Sequence, residues 1–229
     1  LQLVLSSVYH VDIPAGNITM NNYKELKRNP RVRRAIPLAL GDSYKGFRMV
    51  GTTADYLKLY NATFEEGEIF SEDFEAVAGA DTGLNIGEKI AVSHGLSVDS
   101  GDVHHGRLYT ITGILKPTGT VLDRLVTTPL ESVQELHNEH THHSESTGHE
   151  HHNTHEHKHE SSADLEITSV LLKLRSPVDL MNIPRKINAS SQVMAAVPAY
   201  EIARLTQSLG VGRKKVLVIG GSFVRLSAL

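Results

Sequence analysis

Cysteine is absent from the 229 residues, which excludes disulfides, thiolate metal sites and cysteine nucleophiles. That absence is compatible with a reducing compartment and equally with a bacterial extracytoplasmic one. A large surplus of charge is also missing: the net charge of −3 gives no electrostatic hold on a polyanion, so nucleic acid is not expected as a partner. The opening "LQLVLSSVYHVDIP" begins without methionine and has no basic start leading into a signal core. The chain is therefore expected to be an excised piece of something longer. Catalytic signatures are lacking as well. There is no G-x-S-x-G elbow and no H-E-x-x-H helix, and "GVGRKK" has neither the spacing nor the hydroxyl of a phosphate loop. An enzyme acting alone is not expected.

What is present is ordinary globular material, 40% hydrophobic and 21% charged, long enough for one domain or two small ones. "SVYHVDIP" reads as a first strand and "NITMNNYKELKRNP" as a short amphipathic helix closed by Pro30. "VRRAIPLAL" and "GFRMVGTT" flank the turn residues of "GDSYKG" as a hairpin. "ADYLKLY" is a short helix, "FEEGEIFS" a loop and "FEAVAGADTGLNI" a further helix. "GEKIAVSH" and "RLYTITGILKP" alternate as facing strands, then "DRLVTTP" gives a strand and "LESVQEL" a helix. After residue 162, "ITSVLLKLR" is a strong strand, and the helical patterns "PVDLMNIPRKIN" and "PAYEIARLTQSL" surround the strand "SQVMAAV". The fold class is α+β. The end "VLVIGGSFVRLSAL" follows Arg213, Lys214 and Lys215. It is either the start of a membrane helix, too short to span alone and interrupted by Arg225, or a terminal strand. A dinucleotide-binding start is excluded because no βαβ unit can follow.

The unusual segment is "HNEHTHHSESTGHEHHNTHEHKHE", which holds ten of the fourteen histidines and no aliphatic or aromatic hydrophobe. Such a composition cannot form a core, so residues 137–162 are expected to be a mobile insertion. His137, His140, His142, His143, His149, His151, His152, His155, His157 and His159 offer neutral imidazole to Zn²⁺, Cu²⁺ or Ni²⁺, zinc leading. His151 and His155 would share a helical face, whereas His155, His157 and His159 would share one side of a strand, and neither structure need precede the metal. The competing reading is an incidental low-complexity insert; an expression tag fits poorly because the tract is internal and irregular.

A second candidate lies in "VSHGLSVDSGDVHHGRLY". A hairpin centred near Asp99 sets His94 opposite His104, close enough for two imidazoles to share a metal, with His105 or Asp102 completing the shell. A shift of one residue would send one histidine to the other face, and the alternative is a pair of solvated turn histidines. His10 carries no functional reading.

The phrases "FRMVGTTADYLKLYNATFEEGEIFSEDF", "LNIGEKIAV" and "RLYTITGILKPTGTVLDRLVTTPLESVQEL", in this order, resemble the extracytoplasmic core domain of MacB/FtsX-type ABC transporter permeases. Glu68 stands where that family commonly has arginine. The resemblance covers nearly all the chain outside 137–162 and implies a two-lobed α+β domain. One α/β lobe comes from residues 1–56 and 121–212, a smaller β-rich lobe at 57–120 is inserted, and 213–229 leads into the membrane. It further implies chain ends close together at the membrane surface and a periplasmic face of the inner membrane. The implied partners are a separate ABC ATPase subunit that hydrolyses the ATP, a homodimeric permease partner and a periplasmic metal-binding or lipoprotein partner. The tract points to transition-metal transport or sensing. The alternatives are a soluble metal-buffering or delivery protein and an exporter or mechanotransmitter for peptide, lipid or lipoprotein that senses metal.

Overall fold

The computed structural model describes residues 1–14, 16–94, 107–135, 166–190 and 193–208. The chain forms two compact units, one from residues 1–12 with 177–229 and one from 13–176.

The larger unit is built on a nine-stranded sheet with the main order β11-β2-β3-β9-β5-β8-β4; β6 adds to β8 and β7 to β2. The strands are β2 (Val32–Tyr44), β3 (Phe47–Thr52), β4 (Phe64–Gly67), β5 (Glu75–Ala78), β6 (Lys89–Ile90), β7 (Ser93–His94), β8 (Tyr109–Leu115), β9 (Leu125–Pro129) and β11 (Ser169–Leu174). A separate antiparallel pair joins β1 (Ile18–Thr19) to β10 (Glu166–Ile167). The β2–β3 hairpin turns at Lys45 and Gly46, both with positive φ (47° and 85°), the two-residue geometry that matches strand twist. The strands therefore run further into "GDSYKG" than the expected turn.

Three helices cover this sheet. α2 (Met20–Arg28) starts at Thr19, whose side chain accepts the Asn22 N–H; α3 is Ala54–Leu59 and α4 spans 130–135. Apolar residues alternate across the strands. Val50, Val77 and Leu125 pack with Tyr56 and Leu57 of α3, whereas Met49, Ala76, Ala78 and Val126 pack with Ile90, Tyr109 and Ile111. Tyr23 of α2 and Leu130 and Val133 of α4 close over Ala39 and Ile167. Strands from 57–120 thus share one sheet with strands from both flanking segments.

The smaller unit contains α1 (Gln2–Ser7), α5 (Asp179–Ser190) and α6 at 198–208. Four expected elements differ from those observed. "SVYHVDIP" is not a strand: Leu-rich α1 occupies its start, and the chain then passes irregularly through His10 at φ 55°. "FEAVAGADTGLNI" is the strand β5, because Ala76, Val77 and Ala78 are completely buried on both faces, which erases the period-two signal. "FEEGEIFS" contains the edge strand β4, whose exposed Glu65 and Glu66 gave it a loop-like composition. Residues 193–197 form no strand. The Asn188 side chain supplies the pairing a neighbouring strand would give, donating to the Ala195 carbonyl at 2.9 Å and accepting its N–H at 2.7 Å.

Candidate functional site

The histidine-bearing segments leave the larger unit from one corner, and its construction begins with an irregularity in β2. The β2–β3 register shifts between Leu40 and Ser43, and over that bulge β7 pairs Asp42 with His94 and Ser43 with Ser93. Asp42, Ser43 and Arg48 are all buried there, and Asp42 and Arg48 are both engaged in polar or electrostatic interactions. Opposite charges taken out of water persist only where such interactions compensate their desolvation.

Next to this stands Tyr109, fully buried at the start of β8. Burial holds its hydroxyl well above the usual tyrosine range, and the charges of Asp42 and Glu135 push the same way. It remains a neutral donor, reaching the Ser132 carbonyl at 3.4 Å, and its ring lies 5.3 Å from that of Phe74. Phe74 occupies the left-handed region at φ 61°, a conformation that costs a bulky residue on the order of 1–3 kcal/mol. Its N–H is satisfied there by the hydroxyl of buried Ser132 at 2.9 Å. Arg107 stacks over the Phe74 ring at 4.8 Å and pairs with Glu135 at 2.8 Å.

Arg107 is the first described residue after the 95–106 segment, and Glu135 the last before the 136–165 segment. Their ion pair thus ties together one stem of each excursion. The stem of the longer one is closed a second time, where the Gln134 side chain donates to the Glu166 carbonyl at 3.3 Å. Sequence reading missed Asp42, Arg107 and Glu135. Arg107 and Glu135 could have been found by asking which charged residues border the two histidine-rich stretches.

Of the residues expected to bind metal, His94 is placed by β7. His104 and His105 lie outside the described residues, as do His137, His140, His142, His143, His149, His151, His152, His155, His157 and His159, and so does the segment 213–229. The register differs from the one assumed for the hairpin. β6 and β8 pair Ile90 with Tyr109, one residue away from the Leu108 partner that a turn centred on Asp99 implies, and the backbone partner of His94 is Asp42. His10, in the smaller unit, is buried. Among the described residues no three His, Asp or Glu side chains gather as a ligand set, and no helix is long and apolar enough to cross a membrane.

The described residues therefore assemble an α+β scaffold on which Arg107 and Glu135, the residues bordering the two histidine-bearing segments, are paired. Residues 2–190 match the model of the MacB-like periplasmic core domain. The chain belongs to that family, the periplasm-facing domain of MacB/FtsX-type ABC transporter permeases, which is not itself catalytic. Two solved structures are similar. One is the extracellular domain of the noncanonic ABC-type transporter YknZ from Gram-positive bacteria, with 13% identity and a TM-score of 0.45, covering 76% of this chain and 83% of that one. The other is the periplasmic region of MacB from Actinobacillus actinomycetemcomitans, with 11% identity and a TM-score of 0.46, covering 77% and 75% respectively. No curated protein matches the chain.

Proposed function

We propose that this domain belongs to a homodimeric permease driven by a separate ABC ATPase, and that its histidine-bearing segments bind zinc on the periplasmic side in metal transport or sensing. The observation that carries the metal reading is the Arg107–Glu135 pair at 2.8 Å, which joins residues bordering the two segments that hold His104, His105 and the ten tract histidines, the first of these segments following directly on His94 of β7. Ligands from both then start from one corner, which raises the effective concentration of one set near the other. Copper and nickel suit the same imidazoles.

Each ligand imidazole must be unprotonated. With an ordinary pKa near 6.5 most carry a proton at about pH 5, so protons displace metal over that window. Equilibrium dialysis is expected to give more than one zinc per chain at pH 7.5 and a steep loss by pH 5. Replacing residues 137–162 with a short Gly-Ser linker should remove most of it. Any zinc left should disappear on His94→Ala with His104→Ala. Equal zinc on the intact and linker chains would refute a role for the tract.

The permease reading is tested separately. The chain has no cysteine, so Glu65→Cys, at an exposed position on β4, places a unique thiol in it. In the full-length protein this thiol should react with a membrane-impermeant maleimide in cells whose outer barrier is opened, without lysis. Labelling only after lysis would remove the periplasmic assignment. A soluble full-length protein would favour the metal-buffering alternative.

A further inference from the structure

Exposed apolar side chains concentrate in the smaller unit: Val178, Leu180, Met181, Met194 and Tyr200 are 64, 43, 51, 62 and 59% exposed. α5 shows how they are arranged. At about 100° per residue, buried Asp179 and Ile183 mark the inner side of the helix. Leu180 and Met181, each about one turn from Pro184, run with it along the outer side, with exposed Arg185 a turn on from Met181. Asn188, a turn on from Pro184, holds Ala195 through its two hydrogen bonds. Asn188 and Met194 line one open groove of about 620 Å³, together with Leu1, Leu3 and Val193. The groove thus adjoins the later part of α5 at Asn188, with Met194 in its lining. Glu201 also borders the groove, but its carboxylate is paired with Arg204 at 3.0 Å.

We propose that this outer face of α5, with Leu180, Met181 and Pro184 extended by Val178, rests on the surface of an anionic lipid bilayer. The proposal builds on the permease reading above. Residues 209–215 separate Ser208, the last described residue of α6, from the apolar run that begins at Val216, and seven residues reach at most about 25 Å. If that run enters a bilayer, Ser208 stays within that distance of the lipid surface. The charge pattern agrees, since exposed Arg185 borders the strip and Arg213, Lys214 and Lys215 precede Val216. Apolar residues bordered by cations are what an interfacial helix offers to acyl chains and phosphates.

The chain contains no tryptophan, so Met181→Trp and, on the larger unit, Ile86→Trp each create a single reporter. The 229-residue chain is mixed with phosphatidylethanolamine–phosphatidylglycerol vesicles containing brominated acyl chains. Emission from Met181→Trp should fall by about twofold or more, as expected for a side chain at the headgroup–acyl boundary, while Ile86→Trp is unchanged. Adding Arg185→Glu, or replacing phosphatidylglycerol with phosphatidylcholine, should reduce the quenching. Absence of quenching at Met181→Trp, whether or not the chain sediments with the vesicles, overturns the proposal. So does a blue shift that depends on protein concentration without vesicles, which would assign the face to a second copy. If the periplasmic labelling of Glu65→Cys succeeds and quenching fails, the lipid contact alone is rejected.

Discussion

The carboxylate of Asp123 is held by the Thr118 N–H at 2.8 Å, the Thr118 hydroxyl at 2.7 Å and the Gly119 N–H at 2.8 Å. Burial pushes its pKa up, and the hydrogen bonds from Thr118, Gly119 and Thr120 outweigh that and leave it below the usual aspartate range. A carboxyl whose pKa is depressed on folding stabilises the fold above its unfolded value, near 3.9. That contribution is lost as pH falls through the folded value. Asparagine keeps one acceptor oxygen but turns an N–H₂ donor toward other donors. Asp123→Asn is therefore expected to cost about 1–3 kcal/mol near neutral pH. Urea denaturation should show the gap from the parent narrowing below about pH 4; a gap independent of pH would mean that the charge contributes nothing. Ser132 is a second single residue on which much depends, because its hydroxyl satisfies the N–H of the strained Phe74. Ser132→Ala leaves that donor unmet and should cost about 1–3 kcal/mol, read by thermal unfolding, while Ser132→Thr should recover part of it if the hydroxyl is the cause.

Close approach between elements sets the next scale. At the end of β5 a Cβ on Gly79 would overlap the Leu122 carbonyl and the Asp123 backbone, in the 3-10 turn Val121–Arg124. The Gly79 N–H meanwhile donates to the Leu125 carbonyl at 2.9 Å. Backbone here meets backbone, which cannot rotate aside. Gly79→Ala should lower stability by about 2–4 kcal/mol, whereas Gly83→Ala, with a left-handed φ of 69° but open space around it, should cost only about 1 kcal/mol. Equal losses in chemical denaturation would contradict the packing argument. The same scale shows what the sequence made legible. α2 could be read because Thr19 caps it and Pro30 follows, and β8 because "YTITGIL" alternates buried and half-buried positions. β5 could not, since a central strand buried on both faces has no alternation. Nor could the pairing of His94 with Asp42 be read, because a bulge in β2 sets it and bulges leave little local signal. The tract's metal-binding composition was plain, whereas the tie between its stem and that of the other histidine-bearing segment depends on packing between β8 and α4.

For the molecule as a whole, every described strand of the sheet lies outside the histidine tract. Its stem is closed by Gln134 and Glu166, by the Arg107–Glu135 pair, and by the β1–β10 ladder. Loop length between fixed ends changes stability slowly, by about 0.6 kcal/mol per doubling. Substituting a Gly-Ser linker for 137–162 should therefore leave the thermal midpoint within about 2 °C; loss of cooperative unfolding would reveal a structural role. Beyond the tract, the larger unit gains chiefly β11, which makes a six-residue antiparallel ladder with β2. Covalent continuity through the tract is thus one of several links between the segments before and after it. A protease site placed between His143 and Ser144 should yield a nicked protein whose fragments co-elute in size-exclusion chromatography, with the later fragment acting as a donor strand for the open edge of β2. Separately expressed halves should complement each other in the same way, which would make the tract a place where a reporter protein can be reconstituted from two genes.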